Sequence, residues 1–72
     1  MGTARYLEIA DAIRRAILEG DYAVGAQLPS ESELVARWSA SRGTVRQAVA
    51  LLTSEGLIGS RQGARRIVLR QE

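Results

Sequence analysis

SASRGTVRQA, residues 39–48, opens a helix that carries two arginines four residues apart and a glycine in its first turn. Ser41 is placed to cap it. Val45, Ala48, Val49 and Leu52 then recur at i, i+3, i+4 and i+7, with Leu51 on the border of the stripe. Gly56 follows as a stop, so the spacing predicts a helix over about 42–55. Away from the apolar stripe stand Arg42, Gly43, Arg46 and Gln47, with no acidic residue among them. Glycine inside a helix costs about 1 kcal/mol against alanine. A serine-capped amphipathic surface helix accounts for the stripe but leaves the glycine and the bare arginines unexplained.

Working outward, PSESEL places Ser30 three residues before Glu33, the spacing of a capping box. A helix over about 31–38 is expected to follow, burying Leu34, Val35 and Trp38. Only two residues then precede Ser41, and two short helices joined by so tight a turn form a helix-turn-helix. Upstream, Tyr6, Ile9, Ala10, Ile13 and Ile17 share a helical face and Gly20 closes it, giving a first helix over about 5–19. Its Arg14 and Arg15 have Asp11 at helical spacing and read as surface pairs. GDYAVGAQLP is an extended connector with a short edge strand near Gln27–Leu28. Downstream, Leu57–Ser60 and Arg66–Leu69 can pair as a hairpin around Gln62, Gly63 and Ala64. The expected class is mainly α with a small β-hairpin (α+β): three helices and a wing over about 57–69, one domain spanning 1–72.

A chain of 72 residues buries only about 60% of its unfolded surface. Without Phe, its core is expected to be Ile, Leu, Val and Ala around one Trp, with no room for a ligand pocket. The absence of Cys removes disulfides and thiolate metal sites, and the absence of His removes imidazole ligands and the usual general base. Lys is missing too, which excludes a P-loop lysine and Schiff-base chemistry. No enzyme, cofactor or metal is expected. No long apolar run or secretion signal is present, so a cytoplasmic protein without a membrane partner is expected. Residues 1–36 carry three arginines against six acids, a net −3, while residues 37–72 carry seven against two, a net +5. Such asymmetry points to a nucleic-acid or other anionic partner for the second half. From charge alone, a solvated basic surface fits equally well.

In a helix-turn-helix bound to duplex DNA, the second helix enters the major groove and the first crosses the backbone. Arg42 and Arg46, one turn apart, can then reach guanine O6 and N7 or brace phosphates. Gly43 allows close approach, and the Ser41 and Thr44 hydroxyls with the open N–H groups of the first turn can hold a phosphate oxygen. Gln47 completes the face. Arg61, Arg65 and Arg66 around a glycine tip suit a narrow minor groove, with a solvated hairpin as the plain alternative. A winged-helix module for protein partners is the competing function.

These residues resemble the N-terminal winged helix-turn-helix of GntR-type bacterial transcription regulators. The resemblance rests on Tyr6, Ile9, Ile13, Ile17 and Gly20, then Gly25, LPSE at 28–31 and Leu34. It continues through SRGTVR at 41–46, Ala48, Leu52, EGLI at 55–58 and Gly63. It implies a dimeric repressor or activator on a pseudo-palindromic operator, with Ser41, Arg42, Gly43, Thr44 and Arg46 as helix contacts and Gln62 and Gly63 at the wing tip. Ser32 stands where such regulators often carry a phosphate-binding Arg; with Arg37 it is a candidate phosphate contact. Arg65 and Arg66 replace the usual Gly and Thr, adding charge to the wing, and Ala40 replaces a common Val. The family also implies a C-terminal effector-binding and dimerising domain, so these 72 residues are either the DNA-binding domain of a longer regulator or an unusually short regulator. A regulator is then expected to be homodimeric and the isolated domain monomeric, with any small-molecule effector bound through the missing domain.

Overall fold

The computed structural model describes residues 4–60 and 66–71, and its order of elements is α1 (Arg5–Leu18), α2 (Glu31–Trp38), α3 (Arg42–Ser54), β1 (Ile58–Ser60) and β2 (Arg66–Val68). α1 ends one residue short of the expected boundary, and α3 likewise. In each case a glycine takes the left-handed conformation, Gly20 at φ 87° and Gly56 at φ 77°. The N–H of Gly20 then donates to Ile17 O and that of Asp21 to Ala16 O. At α3 the matching donors are Gly56, to Thr53 O, and Leu57, to Leu52 O. This paired closure satisfies carbonyls that the helix leaves open, with Glu19 and Glu55 as the caps.

The expected capping box opens α2: the Glu33 N–H donates to Ser30 Oγ at 3.1 Å, and the Ser30 N–H donates to the Glu33 carboxylate at 2.7 Å. α2 closes on Ser39, whose φ of 51° makes it the one non-glycine residue in the left-handed region among those described. That strained residue turns the chain from α2 into α3.

One apolar cluster joins the elements. α1 contributes Ile9, Ala10, Ile13 and Ile17, and α3 contributes Val45, Ala48, Val49 and Leu52. Leu34, Leu28, Leu57, Ile58 and Val68 close it, each such side chain gaining about 1.5–3 kcal/mol by burial. The expectation that Val35 and Trp38 are buried, and that the core surrounds the Trp, is corrected. Both are half-buried at its margin, because α2 is only two turns long and lays one position, Leu34, fully inward. Trp38 instead serves as a platform: the Arg5 guanidinium lies 5.6 Å from its ring centroid and donates to its carbonyl. On α1, Asp11 pairs with Arg14 but not with Arg15.

β1 and β2 pair antiparallel in the register Ile58↔Val68, Gly59↔Ile67 and Ser60↔Arg66. The connector lies along the other side of β2, bridging at Gln27↔Ile67. Gly25 N donates to Val68 O at 2.8 Å, Val68 N to Ala26 O at 3.0 Å and Leu28 N to Arg66 O at 2.9 Å. The expected edge strand at Gln27–Leu28 is thus a single bridge with flanking bonds. No helix among the described residues is long and apolar enough to cross a membrane.

Candidate nucleic-acid interface

α3 buries Val45, Ala48, Val49 and Leu52, so its rotation is fixed and the residues between them face outward. Ser41, Arg42, Gly43, Arg46 and Gln47 are exposed, and Thr44 is half-buried. The first turn holds no acidic residue. Ser41 Oγ accepts the Thr44 N–H at 3.1 Å and lies 2.8 Å from Thr44 Oγ1, so the two hydroxyls are tied together. Capping uses the Thr44 N–H, while those of Arg42 and Gly43 lie ahead of the first intrahelical bond, from Val45 N to Ser41 O.

Gly43 needs neither its freedom nor its smallness within this fold. Its φ is ordinary, and a Cβ there would meet nothing within 4 Å. The notch fronts open space.

The arginines are not bare, which corrects the sequence reading. Arg42 Nη1 donates to Glu31 Oε1 at 2.7 Å, and Arg46 Nε donates to Glu31 Oε2 at 2.9 Å. One carboxylate on the first turn of α2 bridges two cations on α3. Arg42 and Arg46 nevertheless remain 54% and 67% exposed, with Glu31 at 24% beneath them. Hydrogen bonds from Arg42 and then Arg46 hold the Glu31 carboxyl below the usual carboxylate range, although partial desolvation opposes this. Sequence reasoning missed Glu31 because its partners are 11 and 15 residues away. In the structure it is also a first-turn acid of α2, a position that the helix dipole favours.

A second carboxylate organises the other end of α3. Arg14 Nε and Nη2 donate to the two Glu55 oxygens at 3.0 and 2.7 Å, joining α1 to α3 in a fork-to-fork pair. The Glu55 carboxyl is lowered chiefly by that hydrogen bond. Arg70 donates to the Glu55 and Gly56 carbonyls, tying the segment after β2 to the C-terminal end of α3.

On α2, Ser32 and Arg37 are both exposed, but five residues of helix place them about 140° apart, so they do not share a face. Arg66 is exposed at the start of β2. Arg61, Gln62, Gly63 and Arg65, expected at the wing tip, lie outside the described residues.

Residues 5–68 match the family described as bacterial regulatory proteins, gntR family. The chain is 42% identical over all 72 residues to an uncharacterised HTH-type transcriptional regulator of Rhizobium meliloti, of which it spans 30%. It is 42% identical over 59 residues, 82% of its length, to the mannosyl-D-glycerate transport/metabolism system repressor of Escherichia coli, of which it spans 25%. Among solved structures, the DNA-binding domain of AraR in complex with operator ORR3 superposes at a TM-score of 0.89 and 31% identity. That match covers 94% of this chain and 82% of the other. BusR of S. agalactiae in complex with its busAB promoter DNA gives 0.86 at 28% identity, over 97% of this chain and 34% of the other.

Proposed function

The chain belongs to the gntR family of bacterial regulatory proteins, and on that premise we propose that it is the DNA-binding part of a transcriptional regulator, a repressor of a pseudo-palindromic operator. α3 enters the major groove, where Arg42, Arg46 and Gln47 meet base edges and Ser41, Gly43 and Thr44 lie against the sugar-phosphate wall. Arg61, Gln62, Gly63, Arg65 and Arg66 approach the minor groove, and Ser32 and Arg37 contact phosphates on either side of α2. The rest of such a regulator supplies dimerisation and an effector site. As a binder of chromosomal DNA it works in the cytoplasm and has no catalytic role.

Gly43 carries this reading. The free protein gains nothing from a glycine at a position where a Cβ would touch nothing, and an approaching surface gives it a use that the fold does not. That AraR and BusR, of the same fold, are seen with operator or promoter DNA supports duplex DNA as that surface.

Selection from duplexes with a random central stretch, followed by a salt titration of the enriched sequence, tests it. An enriched motif whose affinity falls steeply with salt is expected, because phosphate contacts release counterions. A protein-interaction module would enrich no sequence and would hold duplex DNA no better than other polyanions.

A further inference from the structure

Glu31 is an oddity on a surface meant for DNA, since a carboxylate there repels phosphates. Its placement is nonetheless well fixed. It is the first residue of α2, directly after the Ser30 cap, at the helix end that favours negative charge. It lies beneath two guanidinium groups that project further into solvent than it does.

We propose that Glu31 is a positioning residue for base reading: its single carboxylate aims the Arg42 and Arg46 forks and thereby sets how sharply α3 distinguishes bases. The inference rests on the DNA-binding reading and deepens it. Guanidinium has five N–H donors on a rigid plane, and the two arginines spend different ones. Arg46 gives Nε to Glu31, which leaves its two terminal amino groups as an outward pair. Arg42 gives Nη1, which leaves the edge formed by Nε and Nη2. Each remaining edge has the two parallel donors that guanine O6 and N7 accept. Held this way, neither long side chain needs to be ordered when DNA arrives, and the wrong edge is withheld. The negative charge also tempers attraction to any phosphate backbone. Glu31 therefore weakens indiscriminate binding while sharpening selective binding.

Those two effects separate in Glu31→Gln, which keeps the shape but loses the charge and one acceptor. The full 72-residue chain, wild type and E31Q, is taken through selection on random-centre duplexes. It is then titrated on the wild-type motif, on single-base variants and on unrelated duplex DNA. Arg42→Ala and Arg46→Ala mark which bases each arginine reads. In E31Q, discrimination at those bases should fall about tenfold, while affinity for unrelated duplex rises and preferences elsewhere in the motif persist. Glu31→Asp, with a retracted carboxylate, should lose part of that discrimination, and it decides the matter if E31Q proves too unstable in thermal unfolding. A uniform change in affinity with the base preferences intact would overturn the inference and leave the DNA-binding reading standing. Failure of the wild type to enrich any sequence would instead bring down that reading and the inference with it.

Discussion

On the proposed docking of α3, stability and recognition pull in opposite directions at Gly43. With open space around its missing Cβ and an ordinary φ, Gly43→Ala should stabilise the free chain by about 0.5–1 kcal/mol, because alanine loses less backbone entropy in a helix. The same methyl group would meet the groove wall, so motif affinity should drop although the fold is firmer. Thermal unfolding and a binding titration on one preparation would show the opposed signs; a variant more stable and equally tight would leave Gly43 without a recognition role. Arg42→Ala and Arg46→Ala should each lower specific affinity by about 1–3 kcal/mol. Their melting temperatures should stay near wild type, since both side chains are largely exposed. What was legible at this scale is local: the Ser41 cap and the outward set of Arg42, Gly43, Arg46 and Gln47 follow from helical spacing. The Glu31 bridge was illegible because it depends on how two helices pack, not on any interval within one.

Helix boundaries were the most readable elements, since their signals lie within four residues of where they act. Ser30 and Glu33 close on each other as their spacing requires. Ser30→Ala should therefore cost about 0.5–2 kcal/mol of stability. Stability-corrected DNA affinity should be unchanged; a fall in it would make the serine a contact. Burial on α2 was misjudged at Val35 and Trp38, because periodicity identifies a face without saying how far a two-turn helix sinks into the core. Nor did any pattern join Arg14 to Glu55, 41 residues apart. That pair carries a pH dependence. Glu55 has a lower pKa folded than unfolded, so its stabilisation is complete above the unfolded value, near 4.5, and is lost as pH falls through the folded one. The melting temperature should accordingly decline more on acidification below about pH 4.5 in the wild type than in Glu55→Gln. Parallel curves for the two proteins would show that the pair adds nothing.

For the whole molecule, the exposed large apolar side chains among the described residues are Leu18, Val24 and Leu69. The core of a stable dimer interface is predominantly apolar, and three such side chains give little from which to build one. The 72-residue chain should sediment as a monomer and occupy one half-site weakly. A dimerising segment fused after Glu72 should raise operator affinity by orders of magnitude, through an effective concentration in the mM range, without altering base preference. Sedimentation, with titrations on half-site and full-site duplexes, checks this, and a tight dimer free of DNA would refute it. The wing strands were foreseen from their β-favouring residues. The connector's role beside them was visible only as a hint near Gln27, since strand pairing depends on which segments meet in space. Its position has a bearing on how the chain behaves in a crowded solution. β2 has a neighbour on each flank, so the strand in the middle offers no open row of amides and carbonyls to another chain. The outer strand β1 is only three residues long, one of them Gly59. A stranger seeking to extend this sheet finds almost no template, and the chain should stay dispersed at concentrations where a bare hairpin would seed fibrils.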